Sequence, residues 1–74
     1  MRKKVLEIIN EIRTAKSQSS VGNIEDGTRL REDLNLTSFD LAELTVKIED
    51  EFDIDIFEEG LVSTVGEIFA KLEA

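Results

Sequence analysis

Leu34-Asn35-Leu36-Thr37-Ser38-Phe39-Asp40-Leu41-Ala42-Glu43-Leu44-Thr45-Val46-Lys47-Ile48-Glu49-Asp50-Glu51-Phe52 carries two apolar faces at helical spacing. At about 100° per residue, Leu41, Leu44, Ile48 and Phe52 share one face, which must meet a core. Phe39, Ala42 and Val46 form a second, smaller strip roughly opposite, flanked by Asp40, Glu43 and Asp50. Thr37 suits an N-cap. Asp40 stands three residues on, a weaker form of the capping box, which prefers Glu or Gln there. The pattern predicts a helix over Ser38–Glu51 in which Lys47 is the only basic residue. Asn35, just ahead of it, suits a left-handed backbone position, which Asn tolerates better than most residues with a side chain.

Upstream, residues 17–37 form a long connection marked by Ser17, Ser19, Ser20, Gly22, Asn23 and Gly27. Connections of about 20 residues are uncommon in compact domains unless they do something. Val21, Ile24, Leu30, Leu34 and Leu36 recur along it, so an ordered coil pinned across the helices is expected. Before it, Val5, Ile8, Ile9 and Ile12 make one stripe of a helix over Arg2–Lys16, with Glu7, Glu11 and Arg13 outside the stripe. Downstream, Asp53-Ile54-Asp55-Ile56-Phe57 alternates like a strand but has no second strand to pair with. It reads as an extended connector whose isoleucines enter the core. One short helical turn, interrupted by Gly60, is expected over 58–62. A last helix opens at the capping box Thr64 with Glu67 and buries Val65, Ile68, Phe69 and Leu72.

With 74 residues, 41% of them hydrophobic, the chain is a single domain, 1–74, near the lower size limit for folding alone. There is little room for a deep enzyme active site. Seventeen Asp and Glu against nine Lys and Arg give a net charge of −8. That balance argues against nucleic acid and anionic membranes, and for partners that present Lys and Arg. Cys and His are both absent, which excludes disulfides, thiolate nucleophiles, zinc and haem ligation and Ser-His catalysis from this chain acting alone. Behind the basic start Arg2-Lys3-Lys4, the residues Glu7, Asn10 and Glu11 interrupt the apolar run, so neither a secretory nor a membrane-spanning segment is expected. A cytoplasmic protein is the expectation. The strip on the second helix is too small for an obligate interface, so a monomer is expected.

Carboxylates and hydroxyls are the groups left for chemistry. The acids Glu49, Asp50, Glu51, Asp53 and Asp55 invite a calcium reading. An EF-hand counted from Asp50 would need Gly at Asp55 and a bidentate Glu at Leu61, so the cluster reads as a solvated acidic patch. Paired carboxylates for glycoside hydrolysis would need a cleft between lobes, and the chain has no second lobe. Ser38 is the more informative hydroxyl. A Ser at a helix start is ordinarily a cap, but Thr37 already supplies one, and the acid-rimmed strip beside Ser38 has the look of a docking surface. An anion esterified to Ser38 would sit at the positive end of the helix dipole, favourable by about 0.3–1 kcal/mol.

These residues together resemble the acyl carrier proteins and their relatives, the peptidyl and aryl carrier domains. The family hallmark is a Leu-Gly-x-Asp-Ser-Leu stretch whose Ser carries 4′-phosphopantetheine, and the matching run is Leu34-Asn35-Leu36-Thr37-Ser38-Phe39. Agreement continues through Glu43-Leu44, Ile48-Glu49, Glu51-Phe52, Ile54, Ile56 and Thr64-Val65, so it spans essentially the whole chain. Thr37 stands where the family usually has Asp, Phe39 where it has Leu, and Asn35 where it has Gly. Lys47 falls where the partner-facing helix usually has a neutral residue.

The resemblance implies an all-α, four-helix bundle with a long first loop and a short third helix, and a protein that is not itself an enzyme. It implies that a phosphopantetheinyl transferase modifies Ser38. The cofactor thiol then holds an acyl group as a thioester for fatty-acid, lipid or polyketide-type biosynthesis. Phe39, Asp40, Ala42, Glu43, Val46, Lys47 and Asp50 would meet the basic docking patches of acyl-loading and acyl-transferring synthases. The core lined by Leu41, Leu44, Ile48, Ile54, Ile56, Val65 and Phe69 is the place where part of an acyl chain could shelter. Two alternatives stay open: a peptidyl or aminoacyl carrier, and an acidic helical adaptor that keeps the fold without modification, which Thr37 motivates.

Overall fold

Val5, Ile8, Ile9 and Ile12 line one face of the first helix, α1 (Arg2–Ala15), and all four are buried. The computed structural model describes residues 2–57, 60 and 62–73. The second helix, α2 (Ser38–Phe52), buries Leu44 and Ile48 completely, with Leu41 and Phe52 half-buried at the edges of the same face. The third, α3 (Val65–Leu72), buries Val65, Ile68 and Phe69 and packs Leu72 partly against the core. Three ion pairs fix the direction of α1 against α2. Lys4 meets Glu51 at 3.6 Å, Lys47 meets Glu11 at 3.3 Å, and Lys16 meets Asp40. Their order is opposite on the two helices, so α1 and α2 are antiparallel. Among the described residues there are three helices and no strand, and no helix is long and apolar enough to cross a membrane. The short helix expected over 58–62 falls on residues 58, 59 and 61, which lie outside the described residues.

The long connection is ordered coil, as its apolar spacing predicts: Ile24, Leu30, Leu34 and Leu36 are buried and Val21 packs against the core. Burying coil requires its backbone groups to find partners, because an unpaired buried N–H or C=O is costly. Asn10 of α1 supplies two of them, accepting from the Val21 N–H at 2.8 Å and donating to the Val21 carbonyl at 3.0 Å. The start of α3 takes up others. Leu30 N–H donates to the Ser63 carbonyl, Val65 N–H to Thr28 and Gly66 N–H to Asp26, at 2.9, 2.9 and 2.8 Å. These bonds also satisfy two of the donors that any helix N-terminus leaves unpaired. Residues 53–57 form no strand. Asp53 caps α2 in a left-handed conformation (φ 59°), and its N–H donates to the Glu49 carbonyl at 2.7 Å. Of the two isoleucines expected in the core, Ile56 is fully buried, whereas Ile54 is only half-buried. The capping turn after α2 takes up the intervening residues, so the alternation of the sequence does not carry both side chains inward.

Candidate functional site

Ser38 is the first residue of α2, and its placement is determined by its neighbours. Asn35 is left-handed at φ 57°, which turns the chain from the buried Leu34 and Leu36 towards the helix. Thr37 is extended and caps α2. Its hydroxyl accepts from the Asp40 N–H at 3.3 Å, and the Asp40 carboxylate accepts from the Thr37 N–H at 2.8 Å, a reciprocal capping box. The cap is therefore complete without Ser38. Ser38 is exposed, and its hydroxyl makes no hydrogen bond among the described residues.

Asp40 departs from the expectation that it rims the exposed strip. It is buried, with 7% of its surface accessible, and Lys16 at the end of α1 donates to its Oδ2. The same Lys16 ammonium donates to the Asn35 carbonyl at 3.1 Å, so one side chain ties the backbone before Ser38 to the Asp40 carboxylate after it. Burial alone would push the Asp40 carboxyl up. The bonds from Lys16 and Thr37 outweigh it and hold the group below the ordinary carboxylate range. The physical reason for the difference is a partner from another helix: helical spacing puts Asp40 on a flank, and Lys16 closes over that flank. Asp40 is thereby removed from the surface open to a partner.

The other residues of the expected surface lie as follows. Phe39 is 89% exposed and Val46 65%, and Ala42 between them is exposed too. They make one open apolar strip on the side of α2 away from its core face. Glu43 and Asp50 are exposed beside it. Lys47 is half-buried and turned towards α1, within 3.3 Å of Glu11 and 4.0 Å of Glu43, so its charge is already shared between two acids. Of the residues read as a possible shelter for an acyl chain, Leu44, Ile48, Ile56 and Val65 are wholly buried in the packed core, and Leu41 and Ile54 reach its edge.

A cleft of about 500 Å³ opens beside Ser38. Its apolar floor is Leu41, Ala42, Phe57 and Val62. Ser38, Arg31, Glu32 and Ser63 supply its polar rim. Sequence reasoning did not single out Lys16, Arg31, Phe57 or Val62 for this site. Nothing local marks them, because each reaches the start of α2 from a different part of the chain. The Ser38 hydroxyl is free for esterification, with the positive end of a helix beneath it and an apolar cleft beside it. No family model matches this chain, and no curated protein matches it.

Proposed function

We propose that this protein is an acyl carrier, modified at Ser38 with 4′-phosphopantetheine and passing its cargo between enzymes that it does not itself resemble in chemistry. The observation that carries this reading is the state of Ser38: exposed, free of hydrogen bonds among the described residues, and released from capping by Thr37 and Asp40. The residues present fit the group. A hydroxyl is the attachment chemistry required, the first-turn donors of α2 favour an adjacent phosphodiester, and the cleft floored by Leu41, Ala42, Phe57 and Val62 borders the attachment point. When bound, the group supplies the thiol that holds the acyl cargo as a thioester, which a chain without Cys cannot supply.

The chain's own residues do the remaining work. Lys16 ties the Asn35 carbonyl before Ser38 to the Asp40 carboxylate after it, and the Thr37 N–H donates to that carboxylate, so a modifying enzyme meets a hydroxyl on a braced helix start. Phe39, Ala42 and Val46 offer short-range apolar contact, and Glu43 and Asp50 steer the carrier to basic patches. An open strip of this size suits brief, salt-sensitive encounters, which a shuttle requires. The short third helix of the carrier fold and a cytoplasmic location belong to the same reading.

Intact mass measured before and after incubation with coenzyme A and a broad-specificity phosphopantetheinyl transferase tests the proposal. The expected result is a gain of one phosphopantetheine group, abolished in Ser38→Ala while that variant keeps its helical circular dichroism. If neither this transferase nor co-expression with the host's transferases changes the mass, the chain is an unmodified adaptor instead.

A further inference from the structure

We infer that Arg31 is the anion-holding residue of the Ser38 site, its guanidinium taking the phosphodiester that modification leaves on the Ser38 oxygen. This rests on the reading of Ser38 as the modified residue. The chain has four arginines, and three are engaged. Arg2 pairs with Asp26 at 2.9 Å, and Arg29 pairs with Asp33 at 3.2 Å and Glu32 at 3.7 Å. Arg13 donates to the carbonyls of Ser19 and Leu34. Arg31 alone among them has neither an ion pair nor a side-chain hydrogen bond among the described residues, and it lines the same cleft as Ser38. In a chain with nearly twice as many acids as bases, an arginine with no acid partner among the described residues, in the same cleft as the Ser38 hydroxyl, is a charge open to an anion.

The backbone beneath Arg31 is fixed. Leu30 and Leu34 on either side are buried, Leu30 N–H donates to the Ser63 carbonyl at 2.9 Å, and Asp33 and Leu34 N–H donate to the Arg29 carbonyl at 3.0 and 3.1 Å. Only the side-chain rotamers of Arg31 need ordering when an anion arrives. Glu32 lines the cleft as well, with its carboxylate 3.7 Å from the Arg29 Nε and no hydrogen bond among the described residues. The apolar floor displaces water from one side of any pair formed there and strengthens it relative to open solvent. The planar guanidinium fork also matches two oxygens of one phosphate, a geometry that Lys does not offer.

The test uses wild type, R31Q, R31K and, as a control on an engaged arginine outside the cleft, R2Q, each unmodified and modified with coenzyme A and the transferase. Intact mass checks the loading. Two quantities are read: the difference in Tm between modified and unmodified protein at low salt, and the phosphorus NMR shift of the phosphodiester. In wild type the modified form should melt on the order of 3 °C above the unmodified form, and about 0.5 M NaCl should shrink that difference. R31Q should abolish the difference and move the phosphorus resonance, R31K should keep part of both, and R2Q should leave both unchanged. An R31Q protein that loads normally and keeps the wild-type difference and resonance overturns the role of Arg31 while leaving the carrier reading intact. A wild-type protein that gains no mass overturns the carrier reading and this inference with it.

Discussion

Asp40 shows how one side chain can serve both a helix and the site that the helix presents. Its carboxylate accepts from the Thr37 N–H, the reciprocal half of the capping box of α2, and receives the ammonium of Lys16, so removing it breaks both bonds, while the Thr37 hydroxyl keeps its bond from the backbone N–H of residue 40. Each of these hydrogen bonds to the partly exposed carboxylate is worth about 1 kcal/mol. Asp40→Ala should therefore destabilise the fold by about 2 kcal/mol and lower Tm by roughly 10 °C. The pH dependence has a defined sign. The folded Asp40 carboxyl lies below its ordinary value of about 3.9, so its contribution is complete above about pH 5 and fades as pH falls through the folded value. Urea unfolding of both proteins between pH 7 and pH 2.5 checks this. The gap between wild type and Asp40→Ala should hold from pH 7 to pH 5 and then narrow in acid; a gap that stays constant to pH 2.5 contradicts the assigned ionisation.

At the scale of whole elements, α3 is seated less by its own sequence than by the coil that meets it. Gly66 lies where a Cβ would stand 2.7 Å from the Asp26 carbonyl oxygen and 3.0 Å from the Asp26 Cβ, and its N–H donates to that same carbonyl. Helix propensity favours Ala over Gly by about 1 kcal/mol, whereas forcing backbone apart in a packed site costs about 1–3 kcal/mol. The contact is with backbone rather than a flexible side-chain tip, so the clash should win. Thermal unfolding of Gly66→Ala should show a net loss of about 1 kcal/mol, and a stabilised variant would mean that the coil near Asp26 yields freely. The sequence makes the helices legible because Val5, Ile8, Ile9, Ile12, Leu44, Ile48, Val65, Ile68 and Phe69 repeat at helical spacing, and the caps Thr37 and Thr64 are local signals. Asn35 is legible for the same reason, since its left-handed turn is a property of one residue. The partners of the coil are not. Asn10 with Val21, Gly66 with Asp26 and Lys16 with Asp40 join residues far apart in the chain, and no periodicity reports them. The same limit hid Arg31: its neighbours in sequence say nothing about the cleft it shares with Ser38.

Across the molecule as a whole, charge is the property that most separates stability from function. If each of the nine basic residues were matched with an acid, eight of the seventeen acids would still lack a partner. The exposed pairs Arg2–Asp26, Lys4–Glu51 and Lys47–Glu11 are each worth roughly 0–1 kcal/mol, because water screens them and the side chains must be ordered to form them. Repulsion among the unmatched acids acts over longer distances and is therefore screened more completely by salt than contacts of 3–4 Å are. Raising NaCl from about 10 mM to about 0.5 M, which shortens the Debye length from roughly 30 Å to about 4 Å, should raise Tm by a few degrees. The same salt should weaken encounters with basic partners, so conditions that best preserve the fold are those that least favour docking through Glu43 and Asp50. Calcium separates general screening from a specific site. Glu51 is shared with Lys4, and Asp55 accepts from the Phe57 N–H at 2.9 Å, so these two acids are committed to separate local roles. A calcium titration followed by Tm should accordingly rise without a break at one ion per chain; a break there would assign the acidic stretch after α2 a stoichiometric cation site.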